Sequence, residues 1–244
     1  MSAPDGSVPN GSAAEAAGAT ARDRDNRARA DARVALVALT AATGSLDVTA
    51  FLRLGGVFAS VMTSNLVFIG VAVVKTEGAF GARCAVAILS YFVGVGLGSA
   101  VAPPSGRENR LGARPLSLLL TGELAVLVGY TIWWMVVDAR PVGWARLVLL
   151  GAIALAMGGQ SAAARQLGNP DVGTTYLTGT VTSLASSLAR RRRPDPESVV
   201  VLAAVIAGAA AGAGLLEGAP ITVPLLALAG VGSTVALSWR LARR

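Results

Sequence analysis

Stretches of about twenty mostly apolar residues recur along this chain, the length a helix needs to cross the hydrocarbon core of a bilayer. Eight such segments lie at roughly 34–54, 57–76, 82–102, 115–137, 145–166, 172–189, 198–217 and 220–240. Only helices and closed barrels satisfy their own backbone in hydrocarbon. The segments are continuous rather than alternating and rich in Leu, Ala and Val, which selects helices. Only 14% of the 244 residues are charged, against about a quarter in soluble domains. The expected fold is therefore all-α, a polytopic membrane bundle of six to eight segments occupying residues 31–244.

The formal net charge of +7 does not point to nucleic acid. The basic residues form short runs between apolar blocks, at Arg190–Arg193, at Arg240, Arg243 and Arg244, and from Arg22 to Arg33. The positive-inside rule produces that pattern, and no basic run carries interleaved aromatics. The expected partner is the lipid bilayer. With no His and a single cysteine, Cys84, the chain has no internal disulfide, Cys-based metal site or His proton relay. No cofactor and no enzymatic activity are expected, because no nucleophile or metal set stands in a catalytic context. Cys84, among Ala and Val, reads as lipid-facing or core packing. Residues 1–30 lack an apolar period and read as a disordered cytoplasmic tail, with Arg33 and its neighbours holding the N-terminus inside. Trp133, Trp134, Trp144 and Trp239 fall at segment ends, where the aromatic belt belongs.

Two segments differ from the rest. The second is interrupted by Ser60, Thr63, Ser64 and Asn65, and the sixth is loaded with Thr and Ser. Such segments suit short, broken or re-entrant helices buried in protein. The two halves, about 34–137 and 145–240, also echo each other. Asp47 with Leu54-Gly55 answers Gln160 with Leu167-Gly168 at one offset of 113 residues, and Met62-Thr63-Ser64-Asn65 answers Leu177-Thr178-Gly179-Thr180 at 115. Duplicated halves meeting at a central site are the usual build of secondary transporters. Eight spans and six spans place equal numbers of Lys and Arg on the cytoplasmic side, so charge does not choose between them.

Two acids are embedded in apolar sequence. A carboxylate at mid-membrane costs about 2.5–3.5 kcal/mol on translocon scales, so it faces a cavity or a partner. Asp47 reads either as a substrate, cation or proton site or as a structural acid near the interface, paired with Arg53 or Arg165. Glu123 lies deep enough in the fourth segment to need a partner or a proton, which suits proton coupling; the alternative is a neutral hydrogen-bonded helix contact. Thr63, Asn65, Gln160, Thr178 and Thr180 offer hydroxyls and amides for a solute or ion, or for close helix packing. Gly94-Val95-Gly96-Leu97-Gly98 and Ala207–Gly212 read as helix–helix interfaces, since no strand precedes them.

The run from Gly44-Ser45-Leu46-Asp47 through Leu54-Gly55-Gly56-Val57-Phe58 to Met62-Thr63-Ser64-Asn65 resembles the N-terminal signature of the YoaK-like family of bacterial membrane proteins, built on a domain of unknown function. Its second signature resembles Gly159-Gln160-Ser161 to Arg165, followed by Thr174-Thr175-Tyr176-Leu177-Thr178-Gly179-Thr180. Val48 and Ser64 depart from the family's Ala and Gly. The resemblance covers about residues 34–240 and implies roughly six membrane spans and a bacterial cytoplasmic-membrane location, with no substrate.

The expected function is secondary transport of a small solute, with Asp47, Thr63 and Asn65 facing Gln160, Thr178 and Thr180, and Glu123 as proton acceptor. The alternative is a non-transporting scaffold or partner-binding subunit whose polar groups only lock helices together.

Overall fold

The computed structural model of the chain describes residues 11–101, 113–166, 177–190 and 196–242. It divides into two units, Met1–Val34 and Ala35–Arg244. The described part of the first is helical from Gly11, within the stretch that the sequence assigns to a disordered tail. Ala and Arg, which recur there, are among the strongest helix formers. The helices are α1 Gly11–Arg53, α2 Met62–Val74, α3 Gly78–Val101, α4 Ala113–Val136, α5 Gly143–Gln166, α6 Leu177–Ala189, α7 Pro196–Gly218 and α8 Val223–Ala242. A 3-10 turn, Pro220–Thr222, leads into α8.

Six of these are long and apolar enough to cross a membrane: Arg33–Arg53 of α1, all of α3, Leu116–Val136, Gly143–Ala163, α7 and Pro220–Arg240. The polar second and sixth segments become α2 and α6, 13 residues each. At 1.5 Å per residue they reach only about 20 Å, short of the ~30 Å core. The protein is thus a polytopic helical membrane bundle with six full-length helices and two half-length ones among its described residues.

Backbone-to-backbone crossings organise it. A Cβ built on Gly94 of α3 would lie 2.1 Å from the Leu155 carbonyl oxygen and 3.0 Å from the Gly159 nitrogen of α5. Gly158 of α5 answers, 2.2 Å from the Tyr91 oxygen and 2.9 Å from the Val95 nitrogen. The contact between α1 and α7 has the same form. Gly44 would meet the Val205 oxygen at 2.3 Å and the Ala209 nitrogen at 2.9 Å, and Gly208 the Ala41 oxygen at 2.0 Å. Each residue of one crossing lies 114 positions from its counterpart in the other: Gly44 and Gly158, Tyr91 and Val205, Val95 and Ala209, Gly94 and Gly208, Ala41 and Leu155. Gly98 against Ala162 and Gly212 against Val48 keep the spacing. Small residues let transmembrane backbones approach this closely.

In both crossings the helices run parallel, since contacts advance toward the C-terminus on both partners. Helices α4 and α8 run antiparallel: Trp134 Nε1 donates to the Pro220 carbonyl at 2.8 Å, and Trp239 Nε1 to Thr121 Oγ1 at 3.1 Å. The first bond corrects the belt assignment of Trp134. Its ring is fully buried, packed 5.9 Å from the Tyr130 ring, because the Pro220 carbonyl gives its N–H a partner inside the bundle. Trp133 and Trp144, by contrast, are exposed and meet edge to face at 5.2 Å. Cys84 is core, with no exposed surface.

Overpacking a crossing of this kind costs about 1–3 kcal/mol. Gly94→Ala is therefore expected to lower the unfolding temperature in detergent, whereas Gly96→Ala, where a Cβ meets nothing within 4 Å, leaves it unchanged or raises it through helix propensity.

Candidate functional site

The break between α1 and α2 is built by its signature residues. Gly55 and Gly56 take φ of +115° and +79°, a region open chiefly to glycine, and so turn the chain back after Arg53. A Cβ on Gly55 would fall 2.3 Å from Arg83 Cδ of α3, and Arg83 Nε donates to the Gly55 carbonyl at 3.0 Å. The Arg83 guanidinium also sits 5.5 Å above the Phe80 ring. Phe51, Phe58, Phe68 and Phe80 follow one another at centroid distances of 5.2, 6.4 and 5.6 Å, sewing α1, the loop, α2 and α3 together.

The returning loop is then fastened twice. Asp47 Oδ1 accepts from the Ala59 and Ser60 backbone N–H groups, each at 2.8 Å, and Oδ2 accepts from the Ser60 hydroxyl. Asn65 clasps one residue from both sides: its Oδ1 accepts from Phe58 N–H at 3.0 Å and its Nδ2 donates to Phe58 C=O at 2.7 Å. The loop thus descends to the depth of Asp47, about 9 Å before the end of α1, and α2 climbs back from there. Non-helical backbone at membrane depth needs such partners, and Asp47 and Asn65 supply them.

Of the two alternatives for Asp47, the geometry favours the structural one with different partners. Its carboxylate holds the loop, whereas Arg53 donates to the Leu216 carbonyl of α7 at 2.8 Å. The side chain of Arg165 lies outside the described residues. Thr63 is exposed on α2; Thr178 is exposed and Thr180 buried on α6. Gln160 is buried on α5. The structure thus brings Asp47 and Asn65 together around one loop. Residues 167–176, which carry the rest of the second signature, lie outside the described residues.

Glu123 stands apart. It is 5% exposed, and neither carboxyl oxygen has a hydrogen-bond partner among the described residues. It is the eighth residue of the Leu116–Val136 span, about 11 Å in from that end. It lines a cavity of about 250 Å³ between α3, α4 and α5, whose other walls are Gly, Ala, Leu and Val. Gly94, Gly98 and Gly159 of the α3–α5 crossing form part of those walls, so the close approach of those two helices also shapes the space beside Glu123. Two turns further along the same face of α4, the Tyr130 hydroxyl is likewise buried without a hydrogen-bond partner among the described residues. The sequence does not single Tyr130 out, although its seven-residue spacing from Glu123 places both on one stripe.

These features define a helical membrane protein with a clamped half-length helix and a buried acid lining a cavity between helices. Residues 35–238 match the family model described as a protein of unknown function, DUF1275, and the chain belongs to that family. It is 29% identical over 158 residues, 65% of this chain and 67% of the other, to the UPF0700 transmembrane protein YoaK of Bacillus subtilis (strain 168). No solved structure matches.

Removing the Asp47 carboxylate leaves two backbone donors of the loop without their acceptor, at about 1–3 kcal/mol for a buried group. Asp47→Ala is expected to lower thermal stability in detergent more than Asp47→Asn, which retains an acceptor oxygen. Equal stability of all three proteins would remove the clamp.

Proposed function

We propose that this protein is a secondary transporter of a small solute in the bacterial cytoplasmic membrane, N-terminus inside, and that Glu123 is its coupling residue. The observation that carries this is the Glu123 carboxyl, unpartnered among the described residues, at the wall of a cavity between α3, α4 and α5. A purely structural acid would be expected to resemble Asp47, with its oxygens engaged by protein donors. An acid left without one is free to exchange a proton for a solute, and intramembrane ionisable groups mark such pathways.

The architecture supports the same reading. The 114-residue correspondence between the two crossings is what a duplication leaves when α1, α3 and α4 answer α5, α7 and α8. Three spans per half make the copies inverted, and inverted halves with broken helices are the build of many secondary transporters. The half-helices α2 and α6 then take equivalent places beside α3 and α7, which they contact. Scaffolding alone explains the clamps at Asp47 and Asn65 but gives Glu123 no role. No catalytic chemistry is assigned.

Reconstituted into proteoliposomes, the protein is expected to give saturable, solute-dependent proton movement with at least one class among amines, amino acids, sugars, carboxylates and nucleosides, read by an internal pH-sensitive dye. Glu123→Gln should lower the rate by about 10- to 100-fold, the range for losing one contact to a charged group, at unchanged protein content. Equal rates for the two proteins, or no saturable flux with any class, would overturn the proposal.

A further inference from the structure

The Glu123 cavity has a composition that restricts its occupant. Apart from the one carboxyl, every lining residue among the described ones is Gly, Ala, Leu or Val. A sugar or other polyol would leave most of its hydroxyls without partners there, at a cost for each. A bare metal cation needs several oxygen ligands, and the cavity walls contribute a single carboxyl side chain. An anion would meet like charge and, among the described residues, no basic side chain. A neutral hydrocarbon would fit the walls but leave the acid unused.

The remaining class is a compact organic cation: an ammonium head on an apolar body. The head compensates the carboxylate in a low-dielectric site, where such attraction is strong, and the body fills the aliphatic remainder. A volume of about 250 Å³ lies just under the roughly 300–1,000 Å³ of sites for drug-sized ligands, which favours a small one.

The route is also legible. Leu97 and Val101 of α3 and Leu118 of α4 line the cavity yet are 57%, 47% and 55% exposed. They lie on membrane-spanning helices, so they face lipid. Helices α3 and α4 scarcely touch, which leaves the gap between them open at this rim.

We infer that the cavity between α3, α4 and α5 binds a hydrophobic ammonium ion on Glu123, entering sideways from the bilayer between α3 and α4. This deepens the transporter reading and rests on it only for the transport step. Binding and release exchange one cation for one proton. As the ammonium approaches, the Glu123 O–H bond breaks and its proton leaves to water. When the ammonium departs, a proton returns and the O–H bond re-forms, with no change in oxidation state.

Benzyltrimethylammonium is a suitable probe, being permanently charged and compact, and neopentylbenzene is its uncharged isostere. With the full chain in phosphatidylcholine nanodiscs, titration calorimetry corrected with empty nanodiscs is expected to show one saturable site for the cation. About one proton should be released per cation bound in weak buffer. Glu123→Gln should weaken binding about 10- to 100-fold. Gly122→Leu should weaken it as much by filling the cavity, because a Cβ there meets nothing within 4 Å and the fold has room for it. Binding of neopentylbenzene as tight as the cation, or cation binding indifferent to both substitutions, would overturn the inference, as would no binding at all. Saturable, Glu123-dependent binding without flux of the probe would keep the ligand class and defeat the transporter reading. Glu123-dependent flux of another solute class with no probe binding would do the reverse.

Discussion

Close backbone contact at two parallel crossings carries the rest of this bundle. In a bilayer there is no hydrophobic drive to bring helices together, and packing must do it. Gly44 and Gly208 seat α1 against α7, and Gly94 and Gly158 seat α3 against α5, with carbonyl oxygens where a side chain would stand. Once α3 lies this close to α5, α4 is held off α3, packing instead on α5 and α8. The cavity beside Glu123 follows from that spacing. The α1–α7 crossing repeats the α3–α5 crossing at a constant 114 residues, each joining one helix from residues 34–137 to one from residues 145–240.

The two embedded acids show opposite solutions to one cost. Asp47 is engaged by two backbone N–H groups and a hydroxyl and thereby allows non-helical chain to enter the membrane. Glu123 is left without protein donors among the described residues, in a cavity that can admit a cation. A membrane protein that strips a carboxyl of partners at this depth requires something mobile, a proton or a cation, to compensate it. On that difference the proposed functional role falls to Glu123 and the architectural one to Asp47.

Much of this was readable from residues alone. Block lengths separated helices from strands, the Thr and Ser content of segments two and six marked the half-helices, and the Gly-rich run from Gly94 to Gly98 marked a helix–helix interface. The motif echo at 113 and 115 residues brackets the 114 of the crossings. A motif match in Ala- and Leu-rich sequence tolerates a slip of one residue, whereas a glycine against a carbonyl does not. What could not be read was which acid is satisfied. Asp47 and Glu123 look alike in sequence, and only the return of the loop at Gly55-Gly56 brings Ser60 to Asp47. Trp134 misled for the same reason: a tryptophan at a segment end suits the interface unless a carbonyl such as that of Pro220 reaches it inside.

The most direct test is of the re-entrant half-helix, on which the six-span, inverted arrangement stands. In a Cys84→Ala background, single cysteines at the exposed positions Leu52, at the end of α1, and Thr76, between α2 and α3, can be labelled with a membrane-impermeant maleimide in intact cells and in inverted vesicles. Only α2 lies between them, so a half-length α2 that returns to the face it left places Leu52 and Thr76 on the same side, and both should label in one preparation and not in the other. Labelling of the two from opposite sides would mean that α2 crosses the membrane, and would contradict the account.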